Sequence, residues 1–198
     1  MLLLFPLLYA GGGLLAVSFV VAAKWLLVGR YKRGERPLWS TFVWRNELVN
    51  ALHEHLADLF LVEMLTGTPF VCWYFRLLGA KIGPRVYMET TDLTEFDLVK
   101  IGRDATLNAD CTLQTHLFED RVMKMSTIEI APACTVGSAA LVLYDTIMEE
   151  GSSLGDLSLL MKGETLPART RWEGIPAQPV SLEGAESAIV RNASMMGE

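Results

Sequence analysis

Three hydrophobic patterns follow one another along the chain. Residues 1–23, MLLLFPLLYAGGGLLAVSFVVAA, carry no charge, and the apolar run continues past Lys24 to Val28. About 20 apolar residues are enough to cross a bilayer as a helix. The triple glycine at 11–13 costs helicity in water but lets helices approach closely, so this helix is expected to have neighbours. Next, Ser40 or Thr41 can cap a helix in which Leu48, Ala51, Leu52, His55, Leu56 and Leu59 recur at helical spacing. TGTP at 66–69 stops it, and FVCWYFRLLG begins a second, short helix ended by Gly79. Its aromatic face is expected to pack on the membrane surface or to cap the next domain.

From residue 82 a period of six takes over. Apolar residues fall at Ile130, Val136, Val142, Met148, Leu154, Leu160, Leu166 and Trp172, and small ones four places on at Cys134, Ala140, Thr146, Ser152 and Ser158. The same phase occurs earlier at Ile82, Met88, Ile101, Leu107 and Leu113. Each such repeat supplies one short strand and one corner, and three repeats close a triangular coil. The fold class is therefore mainly β: a left-handed parallel β-helix preceded by one transmembrane helix and amphipathic helices. The expected organisation is a membrane helix over 1–28, juxtamembrane helices over 29–79, the β-helix over 80–180 and a flexible tail over 181–198.

One stretch, LQTHLFEDRVMKM at 113–125, breaks the repeat, and about eleven residues between Phe118 and Ile130 must leave the coil as a loop. Coils starting at 82, 101, 130 and 148 place His116, Asp97 and Asp145 in one column, about 4.8 Å apart. An imidazole beside a carboxylate is oriented and made more basic, which suits a general base. His116 is thus the expected base, with Asp145 and Asp97 as the carboxylates that orient it. Thr115 or a loop N–H is a candidate oxyanion donor. Glu95, Glu119 and Asp120 are candidates for holding a cationic substrate.

Composition narrows the function classes. The net charge of −6 offers no basic excess for nucleic acid. Lys24, Arg30, Lys32, Arg33 and Arg36 follow the apolar run, which places them in the cytoplasm and the amino terminus outside. The chain is therefore expected to be single-pass in a cell membrane, with the β-helix on the cytoplasmic side. Cys72, Cys111 and Cys134 follow no metal spacing and read as buried small hydrophobes. His53 and His55 lie on different helix faces and read as surface or boundary residues. No metal site is expected.

The hexapeptide repeats, the preceding WYFRLLGAKIG and the closing WEGIPA resemble the left-handed β-helix acyltransferases. That resemblance implies a trimer with active sites between subunits, a histidine base near an extruded loop, and a pantetheine contact at GxPA. The matching residues here are Gly174, Pro176 and Ala177; Gln178 and Pro179 follow, where a basic residue is often found. The strings AAKWLLVGRYKRGERPLWSTFVWRNEL, TTDLTEFDLVKIG, LNADCTLQTHLFEDRVMK and MKGETLPARTRW are similar to the carboxy-terminal region of Pls/PosA-type membrane nonribosomal peptide synthetases, the ε-poly-lysine synthetase-like enzymes. This implies an amide- or isopeptide-forming acyltransferase whose donor is a phosphopantetheine thioester on a carrier protein, or coenzyme A, with no tightly bound cofactor. The implied partners are carrier and adenylation domains of a synthetase and other β-helix domains in a homotrimer or pseudo-trimer. The alternatives are a non-catalytic assembly module and a coenzyme A-dependent small-molecule acetyltransferase.

Overall fold

The computed structural model describes residues 4–180; the tail expected over 181–198 lies outside them. Helix α1 (Leu4–Leu27) is followed by a short strand, Gly34–Pro37, and then by helix α2 (Thr41–Leu52). Ser40 is the N-cap of α2, its hydroxyl accepting from the Val43 N–H. The helix runs on with wide π turns over His53–Val62 and a final 3-10 turn, Glu63–Leu65. Helix α3 (Pro69–Leu78) starts behind a Thr68 cap and ends at Gly79, whose φ of +114° gives the left-handed stop that glycine adopts freely.

Beyond α3 the chain winds in coils. Ile101 stacks on Ile82 and below Ile130, then come Met148 and Leu166. On the second face the stack is Met88, Leu107, Val136, Leu154 and Trp172; on the third it is Leu113, Val142 and Leu160. The pairings between coils are parallel, and these side chains fill the prism: apart from Trp172, all are at most 8% exposed. The small corner residues, Cys134, Ala140, Thr146, Ser152 and Ser158, are at most 2% exposed, because a turn this tight leaves no room for a longer buried side chain. All three cysteines are buried, as expected. From 130 onward each turn takes 18 residues, while 29 separate Ile101 from Ile130, so eleven are extra.

Backbone stacking at the corners is close. A Cβ added at Gly137 would lie 2.4 Å from the Gly155 carbonyl carbon and 2.5 Å from the Asp156 nitrogen. Backbone atoms in a stacked coil cannot swing aside as a flexible side chain can. Gly137→Ala is expected to destabilise the fold by about 3 kcal/mol, read as a lowered midpoint in denaturant-induced unfolding.

The helices form layers over the first coil. His53 Nδ1 lies 3.0 Å from the Tyr74 hydroxyl and Nε2 lies 3.2 Å from the Thr91 carbonyl, joining the long helix, α3 and the coil. His53 is 7% exposed, which corrects its reading as a surface residue, and burial holds its pKa below the ordinary value. The buried stripe of α2 is Val43, Asn46 and Val49, continued by His53, Ala57 and Val62, whereas Leu48 and Leu59 are exposed. The buried stripe is therefore offset from the apolar spacing: Leu52 and Leu56 still pack against the core, at its edge. The coil offers a backbone carbonyl and a carboxylate at this contact, and His53 and Asn46 within the stripe satisfy them.

Helix α1 lies on the outside of that layer. A Cβ at Gly13 would be 3.0 Å from Leu61 Cβ, so this one glycine of the three serves a close helix neighbour, while a Cβ at Gly11 or Gly12 would meet nothing within 4 Å. At its other end Lys24 is fully buried and reaches Asp97 at 2.6 Å, while Trp25 Nε1 donates to the Leu77 carbonyl at 2.8 Å. Residues Leu8–Leu27 are long and apolar enough to cross a membrane.

Candidate active site

The eleven extra residues form an ordered hairpin. His116–Glu119 pairs antiparallel with Val122–Met125, and the two-residue turn Asp120-Arg121 has positive φ at both positions, as tight hairpins require. Gly34–Pro37 adds a third antiparallel strand against Val122–Met125. The excursion begins at His116 itself rather than after Phe118, so the histidine sits where the chain peels off the prism.

His116 Nδ1 lies 2.8 Å from Glu95 Oε2. A carboxylate only accepts, so the proton sits on Nδ1 and the Nε2 lone pair is left as a base. Glu95 is fully buried and has a φ of +33°, an unfavourable backbone state for a residue with a side chain. Such strain costs on the order of 1 kcal/mol and persists where surrounding structure demands it. Three neighbours supply that demand: Thr115 Oγ1 donates to Oε2 at 2.6 Å, Asn46 Nδ2 donates to Oε1 at 2.8 Å, and His116 takes the remaining position. Burial, the largest single influence on His116, opposes its charged form. The hydrogen bond and charge of Glu95, with the charge of Glu47, outweigh it and hold the pKa above the ordinary histidine value. The Phe118 ring, half-exposed, stands edge-on to the imidazole with centroids 5.1 Å apart.

The expected column of carboxylates does not form. Asp145 aligns with His116 by count, but the chain has left the coil there, and the Asp145 N–H instead donates to the Thr127 carbonyl at the returning root. Its carboxylate accepts from Ser126 Oγ at 2.9 Å. Asp97 accepts from Lys24 and from the Tyr31 N–H, tying α1 to the first coil. The displacement arises in that coil, where Glu95 turns left-handed and Phe96–Leu98 winds into a 3-10 turn, so that Glu95 faces the histidine.

Other expected site residues are also placed differently. Thr115 is fully buried with its hydroxyl committed to Glu95 and Thr94, so it supports the carboxylate rather than an oxyanion. Glu95 likewise holds the histidine, not a substrate. Glu119 is bound by Lys124 within the hairpin and by Lys162, which clamps the hairpin to the fourth coil; both hold its carboxyl below the usual range. Asp120 occupies the exposed hairpin turn. Gly174, Pro176 and Ala177 form the turn after the last coil, where Gly174 accepts from the Leu159 N–H and the Ala177 N–H donates to the Leu159 carbonyl. Leu159 stacks on Leu141 and that on Thr112, so this turn is separated from the coil of His116 by rises of about 4.8 Å each. The structure does not bring it to the imidazole.

A cleft of about 350 Å³ is lined by Glu47, Glu54, Asp58, Asp92, Thr94 and Gln114 among others, though not by His116 or Glu95 themselves. Thr94 hydrogen-bonds Thr115, so cleft and histidine share a wall. Burial, then the charges of Asp92 and Glu54, raise the Asp58 carboxyl above its usual range against the pull of the Thr91 hydroxyl. The negative potential here is uncompensated by any lining cation. Asn46 and Glu47, on a helix outside the repeat, are the residues that sequence reasoning missed. Their only signal was the polar run Arg45-Asn46-Glu47 in a helix whose other residues are mostly apolar. Among the described residues no cluster suits a metal ion.

Comparison with known proteins bears on this arrangement. No family model matches the chain. Over 173 residues, 87% of the chain, it is 42% identical to delta-poly-L-ornithine synthetase from Acinetobacter baumannii (strain AB307-0294), of which it spans 13%. Among solved structures it is similar to a maltose O-acetyltransferase from Clostridium difficile 630, at 12% identity and TM-score 0.47 over 55% of this chain and 72% of the other. It is also similar to serine acetyltransferase from Brucella abortus strain S19, at 15% identity and TM-score 0.47 over 73% of this chain and 52% of the other.

Proposed function

We propose, from its kinship with one segment of a poly-ornithine synthetase, that this chain is an acyltransferase domain that forms an amide or isopeptide bond inside a membrane synthetase. The observation that carries the reading is the His116–Glu95 pair at the hairpin root. In the step proposed, a neutral amine attacks the carbonyl of an aminoacyl thioester held on the phosphopantetheine of a carrier protein. The C–N bond forms, His116 Nε2 takes the amine proton, the C–S bond breaks, and the imidazolium returns the proton to the departing thiolate. Glu95 keeps the proton on Nδ1 and stabilises the charged ring, while Thr115 and Asn46 hold Glu95.

The acidic cleft suits an acceptor that is cationic before it reacts, such as ornithine or another basic amino acid. Helix α1 lies in the membrane in this reading, with Arg30, Lys32, Arg33 and Arg36 on the cytoplasmic side, where thioesters are made.

The test is amide formation by the full chain, followed by mass spectrometry, with ornithine as acceptor and ornithinyl thioesters of a carrier protein or of coenzyme A as donors. A thioester-dependent dipeptide is the expected product, faster from the carrier. No product from either donor overturns the reading and leaves the domain as an assembly element.

A further inference from the structure

A second cavity, of about 400 Å³, lies where the apolar run of α1 ends; its walls include Trp25, Arg30, Arg76, Gly79, Lys81 and Asp97. Asp97 is the one carboxylate in the lining, and Lys24 behind it already matches its charge at 2.6 Å. Arg30 and Lys81 are exposed and make no ion pair among the described residues. Arg76 is held in place by donating Nε to the Ile82 carbonyl at 3.0 Å and Nη2 to the Gly83 carbonyl at 2.7 Å, interactions that leave its positive charge unneutralised. The cavity wall therefore carries three cations with no counterion, one of them held fixed by backbone carbonyls.

Its position indicates what would fill it. Trp25 joins the cavity to α3 through its bond to the Leu77 carbonyl. From that seam Phe70, Trp73 and Leu77, on one face of α3, point outward and are 51%, 56% and 57% exposed, while Leu26 on α1 is 85% exposed. An apolar strip leading out of a cationic hole matches a molecule with an anionic head and apolar tails. Basic pockets at the cytoplasmic end of membrane helices recognise lipid phosphates in this way.

We propose that this cavity binds the phosphate of an anionic phospholipid headgroup, with the acyl chains lying along the outer face of α3. The site would fix the height and tilt of the β-helix against the membrane. It takes α1 as a membrane helix, as proposed above, and does not depend on the acyl-transfer chemistry.

The experiment titrates phosphatidylglycerol, phosphatidylcholine and inorganic phosphate separately into the full chain in neutral detergent micelles, following tryptophan emission. Flotation of the same chain with phosphatidylcholine vesicles reports separately on α1. Phosphatidylglycerol is expected to bind at least tenfold more tightly than phosphatidylcholine. Arg30→Gln with Lys81→Gln, both exposed and unpaired, should weaken it roughly 10- to 30-fold. Arg103→Gln with Arg169→Gln, exposed cations outside the cavity, should leave it unchanged. Equal affinity for the two lipids, or equal loss in both double variants, overturns the site. Inorganic phosphate binding that is lost in the cavity variant, without a preference for phosphatidylglycerol, assigns the cavity to free phosphate and overturns the lipid. Failure to float overturns the membrane reading of α1.

Discussion

Replacing His116 by Gln is expected to lower amide formation by about 10²- to 10⁴-fold, the range that a positioned general base contributes. Glutamine can still donate from its side-chain amide to Glu95 Oε2, so the buried carboxylate keeps its third partner and the fold survives. What is lost is the Nε2 lone pair. The amine acceptor then has no group to take its proton as the C–N bond forms. The check is kcat with a carrier thioester donor, together with the thermal midpoint and circular dichroism of the same preparation. An unchanged rate in a folded variant would remove His116 from the chemistry.

Glu95→Gln should have the second-largest effect, with a different signature. Without the carboxylate nothing fixes the proton on Nδ1, and the imidazolium formed in the reaction loses its counter-charge. A loss on the order of 10²- to 10⁴-fold is expected, as when the carboxylate behind a catalytic histidine becomes an amide. The pH dependence separates this variant from a merely damaged fold. In the native protein the folded His116 titrates above its unfolded value near 6.5. Its charged form therefore adds stability that is fully present below that value and is lost as pH rises through the folded pKa. Catalysis needs the neutral ring, so the rate should climb across the window in which this stability fades. In Glu95→Gln only the smaller charge effect of Glu47 still opposes burial, and the residual rate should climb at lower pH. A rate–pH profile that keeps its midpoint while only its height falls would show that Glu95 does not act through His116.

Much of this site was visible in outline before the fold was known. His116 stood at the edge of the one long break in the repeat, and the structure puts it at the root of the hairpin. Glu95 was named as well, but as a substrate contact. A count of fixed coils assigns the place beside the histidine to Asp145 and Asp97 instead. One left-handed residue and one 3-10 turn in the first coil shift the face that Glu95 presents, and neither leaves a trace in hydrophobic spacing. The same holds for the long helix. Its apolar spacing selected Leu48 and Leu59, which are exposed, while Asn46 and His53 went inside because the coil has buried acceptors for them.

The prism, its regular turns, the eleven-residue excursion and the histidine beside it are all legible in the order of the residues. Each of these follows from a period that local stacking repeats, so one strand's side-chain pattern carries the whole rule. Which carboxylate backs the histidine, the pairing of Asp97 with Lys24, and the part that Gly34–Pro37 and Asn46 take in a site outside their own segment are set by packing between distant segments. Those choices depend on where irregular turns and a docked helix place buried polar groups. A buried donor or acceptor takes whichever partner the packing brings within about 3 Å, whatever the distance along the chain.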